Sequence, residues 1–468
     1  MKRLIFALPL LVLSLSGCSS PEDEPYSNSE NKEREIVVSS LNPMNEPLMS
    51  NQYYLNHIGD IYSTWRSYQG NGMTIAVIDT GFKYDHEDFT YEDGTSKVSE
   101  LSASFKISGS KVKKEVGRNK VSSGSGDNAH GTFCAGVAAA GINKKGVIGI
   151  APLAELLLLK TDGHPYSINE AFKYAADNGA KVVTISIGSY KNFDGDLKKW
   201  KTNDIDLETV FEEGVDYCRE KGTLVVSAAG NGGLDPDHAR TEFTYPGGTK
   251  GVIGAGGLAK NKSDEVWDGS SYNSSNSKVF CDVFAPADGM YGCTDHYDSS
   301  VYYSYAGGWD GTSFASPIVA GIATLYFEKN PEATLKDFED DLRDSSRKFK
   351  STGLSENNIG YGRIDVGQLL DTKATEEVTI KIKNTGNLNA YIWNSITGSK
   401  KSNWPGIALS QSGGYFTVTV DTTKYDSIIF NDGTTQAVDL YASSFLFGNA
   451  YNLDVEGGDP FVGQYIAN

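Results

Sequence analysis

The chain has 468 residues, with 42 Lys+Arg against 60 Asp+Glu for a net charge of -18, and is 39% apolar and 22% charged. At roughly 100–200 residues per domain this is roughly two to four units of globular composition, and so acidic a chain argues against a nucleic-acid role, which rests on Lys and Arg. Its 51 glycines are about 11% of the chain against an average near 7%, so many tight turns and close backbone approaches are expected.

Lys2 and Arg3 precede a mostly apolar run, Leu4 to Leu15. These are the charged and hydrophobic regions of a secretory signal, too short to span a bilayer. The run ends at Leu15-Ser16-Gly17-Cys18, which resembles the lipobox of bacterial lipoproteins. That resemblance implies a signal peptide over 1–17, lipidation of Cys18 at the mature N-terminus, and an exported protein anchored to a membrane, in the periplasm or at the cell surface. Residues 18–44 are polar and acidic without apolar periodicity and read as a flexible tether. Of the remaining cysteines, Cys281 and Cys293 lie around the turn signals Ala285-Pro286 and Asp288-Gly289, which leaves a local disulfide open in an exported chain. Cys134 and Cys218 read as buried thiols, and no pair has zinc spacing.

In the middle of the chain, Met73–Ile78, Lys181–Ile187 and Leu224–Ser227 are short, largely apolar runs ending at Asp79-Thr80-Gly81, Gly188-Ser189 and, a few residues on, Gly230-Asn231-Gly232. Helix-length segments, Ser167–Asn178 and Leu207–Lys221, separate them. The alternation predicts a doubly wound α/β domain with a mostly parallel sheet, whose ligands sit at the carboxyl ends of the strands.

Three polar residues have ordinary structural readings when taken singly. Asp79 would be a strand-end cap, His130 a turn residue before glycine, and Ser313 a helix N-cap. Together, Ala76-Val77-Ile78-Asp79-Thr80-Gly81, the segment His130–Gly136 and Gly311-Thr312-Ser313-Phe314-Ala315-Ser316-Pro317 resemble the three signature blocks of the subtilisin-like serine peptidases, in the subtilisin order. The resemblance covers 45–371 and implies a seven-stranded parallel sheet and endopeptidase activity. A serine hydroxyl needs a base with a pKa near neutrality, which imidazole supplies. The resemblance therefore makes Ser313 the nucleophile, His130 the base and Asp79 its orienting carboxylate. It also makes Asn231 an oxyanion donor beside the Ser313 amide. Ser186-Ile187-Gly188 resembles the edge that pairs with the substrate backbone, and Ala229, Gly230 and Thr244 resemble walls of the primary pocket. Thr244 stands where a smaller residue is frequent, so a small or medium apolar side chain before the scissile bond is expected. Asp235 and Asp237 leave a basic side chain as the alternative.

Two departures from the family pattern stand out. About 30 mostly polar residues separate Cys18 from the catalytic domain, too few for a folded inhibitory prodomain. The segment Gly141–Val147 occupies the place of a family calcium loop, but Lys144 and Lys145 argue against a cation there. Asp88 is open to a ligand role or to being a surface carboxylate, and no cofactor is required.

After the linker 372–376, residues 377–468 alternate with period two. Val378–Ile382, Tyr415–Val420 and Ser427–Phe430 predict a small antiparallel β-sandwich. Tyr391-Ile392-Trp393, Trp404-Pro405-Gly406 and Ile429-Phe430-Asn431-Asp432-Gly433 resemble the starch-binding modules appended to bacterial amylases. That resemblance implies a starch or α-glucan partner, with Trp393, Trp404 and Gln436 as contacts. Three readings stay open. The first is a lipid-anchored serine endopeptidase acting on extended polypeptide. The others are an inactive scaffold or adhesin presenting the module, and a processing protease whose sandwich is structural.

Overall fold

Apolar runs bounded by glycine become strands covered on both faces. The computed structural model describes residues 46–467 except 125–127, 191–204, 235–238, 242–243, 261–264, 275–279, 299–300, 373–377, 384–386, 395–398, 413–414, 422–423, 426, 434–439 and 442–463. All of these lie in one compact unit, Leu41–Asn468. Cys18, Asp235, Asp237 and Gln436 fall outside the described residues. No helix among the described residues is long and apolar enough to cross a membrane.

A short helix α1 (Ile61–Trp65) leads into β1 (Thr74–Asp79), followed by a hairpin of β2 (Ala103–Ser108) and β3 (Lys111–Val116). Next come α2 (Ala129–Ala139), β4 (Glu155–Thr161), α3 (Pro165–Asp177), β5 (Val182–Ile185), β6 (Ser189–Tyr190), α4 (Leu207–Glu220), β7 (Leu224–Ala228), β8 (Thr244–Tyr245), β9 (Val252–Leu258) and β10 (Val283–Pro286). A long hairpin of β11 (Met290–Asp298) and β12 (Val301–Trp309) precedes α5 (Thr312–Lys329), α6 (Leu335–Ser345), β13 (Gly362–Arg363) and α7 (Val366–Leu369).

The main sheet has nine strands in the order β13-β10-β9-β7-β5-β1-β4-β2-β3. Seven parallel strands, β10 to β2 in that order, are those expected; a two-residue parallel β13 and the antiparallel β3 extend the two edges. The Lys111–Val116 edge carries three lysines and a glutamate and is largely exposed, which disfavours further strand addition. Inward-facing residues of one sheet face, among them Ile78, Leu159, Ile185 and Val225, pack on Ile168 and Phe172 of α3 and Phe211 and Val215 of α4. Helices α2 and α5 pack on the sheet as well, and α5 is apolar almost all round, the pattern of a core helix.

All four described cysteines are buried and free, so the Cys281–Cys293 bridge left open by the sequence is not formed. The two thiols pack in different places. Cys281 lies against Gly256 of β9, whereas Cys293 lies against Gly136 of α2 and donates to Asp88. Asp88 is fully buried and not a surface carboxylate. Burial raises its carboxyl to about 6, and that of Glu46 to about 7 against the amide bonds that pull Glu46 down.

The C-terminal strands are β14 (Val378–Lys383), β15 (Asn389–Trp393), β16 (Ile407–Ala408), β17 (Gln411–Ser412), β18 (Tyr415–Val420), β19 (Ser427–Asn431), β20 (Leu440–Tyr441) and β21 (Gln464–Ala467). They form two antiparallel four-stranded sheets, β17-β18-β14-β21 and β16-β15-β19-β20. Phe416, Val418 and Val420 are buried in the first, and Ala390, Ile392, Ile428 and Phe430 in the second.

Candidate active site

Asp79 ends β1 at the carboxyl edge of the sheet, and its side chain is completely buried. One oxygen accepts the Thr80 amide at 2.8 Å. Both accept from His130 Nδ1, at 3.0 and 2.9 Å. His130 stands in the first turn of α2, with its side chain 36% exposed. The residue after it must be glycine: a Cβ on Gly131 would sit 2.3 Å from the Gly81 carbonyl and 2.9 Å from Asp79 Cβ. Burial lowers the imidazole pKa, but the charge and hydrogen bond of Asp79 outweigh it and hold His130 above its ordinary value.

Ser313 stands at the start of α5, whose N-cap, Gly311, offers no side chain. The two helix starts meet. Cys134 on α2 donates its thiol to the Ser313 carbonyl at 3.4 Å, and the rings of His130 and Phe314 lie 6.1 Å apart. The Phe133 ring lies 4.4 Å from that of Phe314 and 5.2 Å from that of Trp309, joining α2 to α5 and β12 beside the site. The Ser313 hydroxyl donates to the Ser186 carbonyl at 3.4 Å, and no Ser313–His130 hydrogen bond is formed.

Asn231 is oriented by Thr312. Its carbonyl oxygen accepts the Thr312 amide at 3.0 Å and the Thr312 hydroxyl at 2.8 Å, which turns its NH2 end toward Gly311. A cavity of about 510 Å³ is lined by Ser186, Ile187, Gly188, Gly230, Asn231, Thr244, Thr312 and Ser313, with Ala228, Tyr245 and Leu234 also on its wall. Ala229 lies beneath that wall: it is fully buried, its amide donates to Ala255, and its carbonyl accepts the Thr244 hydroxyl at 3.1 Å. Ser186–Gly188 runs between β5 and β6 without a ladder partner among the described residues.

Around the Asp79–His130 pair the structure adds residues that sequence reasoning missed. Asn128 accepts the Ser123 amide at 2.7 Å and donates to the Gly124 carbonyl at 2.7 Å and to Asp295 of the β11–β12 hairpin at 2.8 Å. Ser123 in turn donates to the Thr80 carbonyl at 2.6 Å. A second cavity of about 420 Å³, lined by Lys83, Tyr84, Asp85, Ser122, Asn128, Asp295 and Tyr302, opens at this network. A hairpin arriving from over 150 residues away leaves no local signal at Asn128.

Among the described residues two clusters have metal-ligating residue types, Asp79–His130–Cys134 and His86–Asp88–Cys293. In the first, Nδ1 is engaged by Asp79, and the thiol, pushed far up by burial, donates to Ser313. In the second, His86 Nε2 meets the Ser304 carbonyl at 2.8 Å and Nδ1 accepts the Asp88 amide at 3.1 Å. Several of their ligand atoms are thus already committed to hydrogen bonds, though Asp88 Oδ1 is not.

In the C-terminal sheets, Tyr391 and Trp393 share one face of β15 by their period-two spacing. Their rings lie 5.5 Å apart at 32°, and Trp404, 49% exposed, lies 5.5 Å from Tyr391. Buried Asn431 donates to the Pro405 carbonyl at 2.8 Å and ties the Trp404 turn to β19, the neighbour of β15. Tyr391 thus joins the two tryptophans into one aromatic surface.

The sequence profile of the subtilase family matches residues 70–362, and that of starch-binding module 26 matches residues 380–442. Thermitase of Thermoactinomyces vulgaris is 28% identical over 315 residues, 66% of this chain and 93% of that protein. Subtilisin Savinase of Lederbergia lenta is 28% identical over 294 residues, 62% and 88% of the two chains. A protease structure from Pseudoalteromonas arctica superposes with a TM-score of 0.54 at 22% identity, covering 70% of this chain and 98% of its own. Fervidolysin from Fervidobacterium pennivorans, a keratinolytic enzyme related to subtilisin, does so with a TM-score of 0.54 at 19% identity, covering 91% and 59%.

Proposed function

Because the chain belongs to the subtilase family and is a subtilisin-like serine endopeptidase, we propose that Asp79, His130 and Ser313 are its catalytic triad and Asn231 its oxyanion donor. The observation that carries this reading is the contact of His130 Nδ1 with both oxygens of a buried carboxylate, next to a serine at an uncapped helix start. With Nδ1–H on Asp79, Nε2 is the basic nitrogen. In this reading the Ser313 hydroxyl leaves the Ser186 carbonyl and gives its proton to Nε2, through a hydrogen bond that forms when substrate binds. The alkoxide attacks the scissile carbonyl, and the imidazolium that forms is stabilised by Asp79 and returns its proton to the leaving amine. The oxyanion is met by the Asn231 NH2 group and the Ser313 amide; one such donor is worth about 10²–10³ in kcat.

An extended peptide pairs with Ser186–Gly188, and the pocket at Gly230 and Thr244 takes a small or medium apolar side chain before the scissile bond. Labelling with a fluorophosphonate tests the assignment. Wild type should be modified and Ser313→Ala should not, whereas an unlabelled, folded wild type would remove it.

The chain is further proposed to be tethered through lipid on Cys18 and localised on starch or another α-glucan by its C-terminal module. The signal-like run ending at Leu15-Ser16-Gly17-Cys18 supports the first, and the Tyr391–Trp393–Trp404 surface supports the second. Cys18→Ser should move the protein from the membrane to the soluble fraction; unchanged membrane retention would sink the tether.

A further inference from the structure

The loop Gly141–Val147 stands where the family pattern has a calcium loop, and its chemistry here is reversed. A calcium ion takes roughly six to eight oxygens. The side-chain oxygens beside this loop are instead engaged by backbone amides: Gln52 Oε1 accepts Ile148 N at 2.9 Å, Asn143 Oδ1 accepts Lys145 N at 3.1 Å, and Asp88 Oδ2 accepts Val147 N at 2.9 Å. The Gly146 carbonyl accepts Leu48 N at 2.8 Å. Asp88 Oδ1 alone among these side-chain oxygens has no hydrogen bond. The fully buried amine of Lys97, pushed down to about 7 by burial against the pull of the Asp88 charge, donates to the carbonyls of Ala139 and Pro152. The residues do not fit a calcium ion.

What the loop does present is a run of amides. Lys144 adopts φ 64, the left-handed conformation that helps successive N–H groups converge. Glu46 fills that concavity: Oε1 accepts Asn143 N at 2.7 Å and Lys144 N at 2.8 Å, and Oε2 accepts Lys145 N at 3.1 Å. Glu46 is 3% exposed and comes from the segment ahead of the first helix. We propose that Glu46 takes the structural place of a metal ion, so that an N-terminal carboxylate and not calcium closes this loop. The N-terminal segment Glu46–Gln52 is then an integral clasp of the peptidase domain.

Thermal unfolding of the full chain, carrying Ser313→Ala to prevent self-digestion, tests this independently of the triad. Excess EDTA and excess calcium should each leave Tm unchanged. Glu46→Gln and Glu46→Ala should each lower Tm by about 5 °C, the scale of losing several charge-assisted hydrogen bonds in a domain of this size, and calcium should not restore it. Should both variants fail to fold, calcium titration calorimetry on the parent protein decides: no heat of binding supports the clasp. Saturable calcium binding, a chelator-dependent Tm in the parent, or unchanged Tm in both variants overturns it.

Discussion

His130 lies under two opposed influences. Burial disfavours its cation, while the Asp79 carboxylate favours it more, so the imidazole titrates above its ordinary value. As the proposed general base it must be neutral, so kcat/KM should rise as pH climbs through that raised pKa, placing the acidic limb above that of a free imidazole. Asp79→Asn removes both the charge and the orienting acceptor. The acidic limb of peptide hydrolysis should then shift to lower pH while the maximal rate falls about 10⁴-fold. A limb that stays in place would show that Asp79 does not set the base. The residue types at this site were legible in the sequence because three short blocks carry them. The hydrogen bond of Ser313 to Ser186 was not, since a hydroxyl rotor is decided by whatever carbonyl the fold brings near it.

The site's precision depends on how α2 and α5 meet the sheet. Gly321 on α5 packs against the loop after α2, and a Cβ there would approach Ile150 Cβ to 2.5 Å and the Ala138 carbonyl to 3.2 Å. Gly321→Ala should destabilise the protein by about 1–3 kcal/mol through overpacking, read as a lower urea midpoint at unchanged slope in the Ser313→Ala background. An unchanged midpoint would mean that the helix shifts freely. On the sheet side, the Ser316 hydroxyl meets Thr184 of β5 at 2.8 Å and the Val226 carbonyl of β7 at 3.3 Å, so α5 is pinned one turn below Ser313. Strands β1, β5 and β7 and helices α3 and α4 were readable from apolar runs and helical spacing. The β2–β3 hairpin and the long β11–β12 hairpin were not. The outer strand of each, as at Lys111–Val116 and Val301–Tyr303, is polar or exposed and carries no core-facing pattern.

At the scale of the whole molecule, a peptidase domain is joined to a module whose aromatic surface is built from β15 and the turn at Trp404. In a native gel containing soluble starch, the full chain with Ser313→Ala should be retarded. Adding Trp404→Ala should restore most of its mobility, since ring stacking supplies much of such contacts. Equal mobility with and without starch would remove the glucan-binding proposal, leaving the peptidase assignment untouched. The sequence alone determined the α/β class, the order of the blocks that carry Asp79, His130 and Ser313, and the aromatic candidates, because each is written in local residue type and spacing. Only the tertiary structure decided that Cys281 and Cys293 stay apart, that Asp88 is buried, that Ala229 lies under the pocket wall, that Tyr391 bridges the tryptophans, and that Glu46 closes the Gly141–Val147 loop. The physical reason is common to all five. Burial and pairing are set by what a distant segment brings to a group, and the bond from Glu46 to Asn143 spans nearly a hundred residues that no local pattern connects.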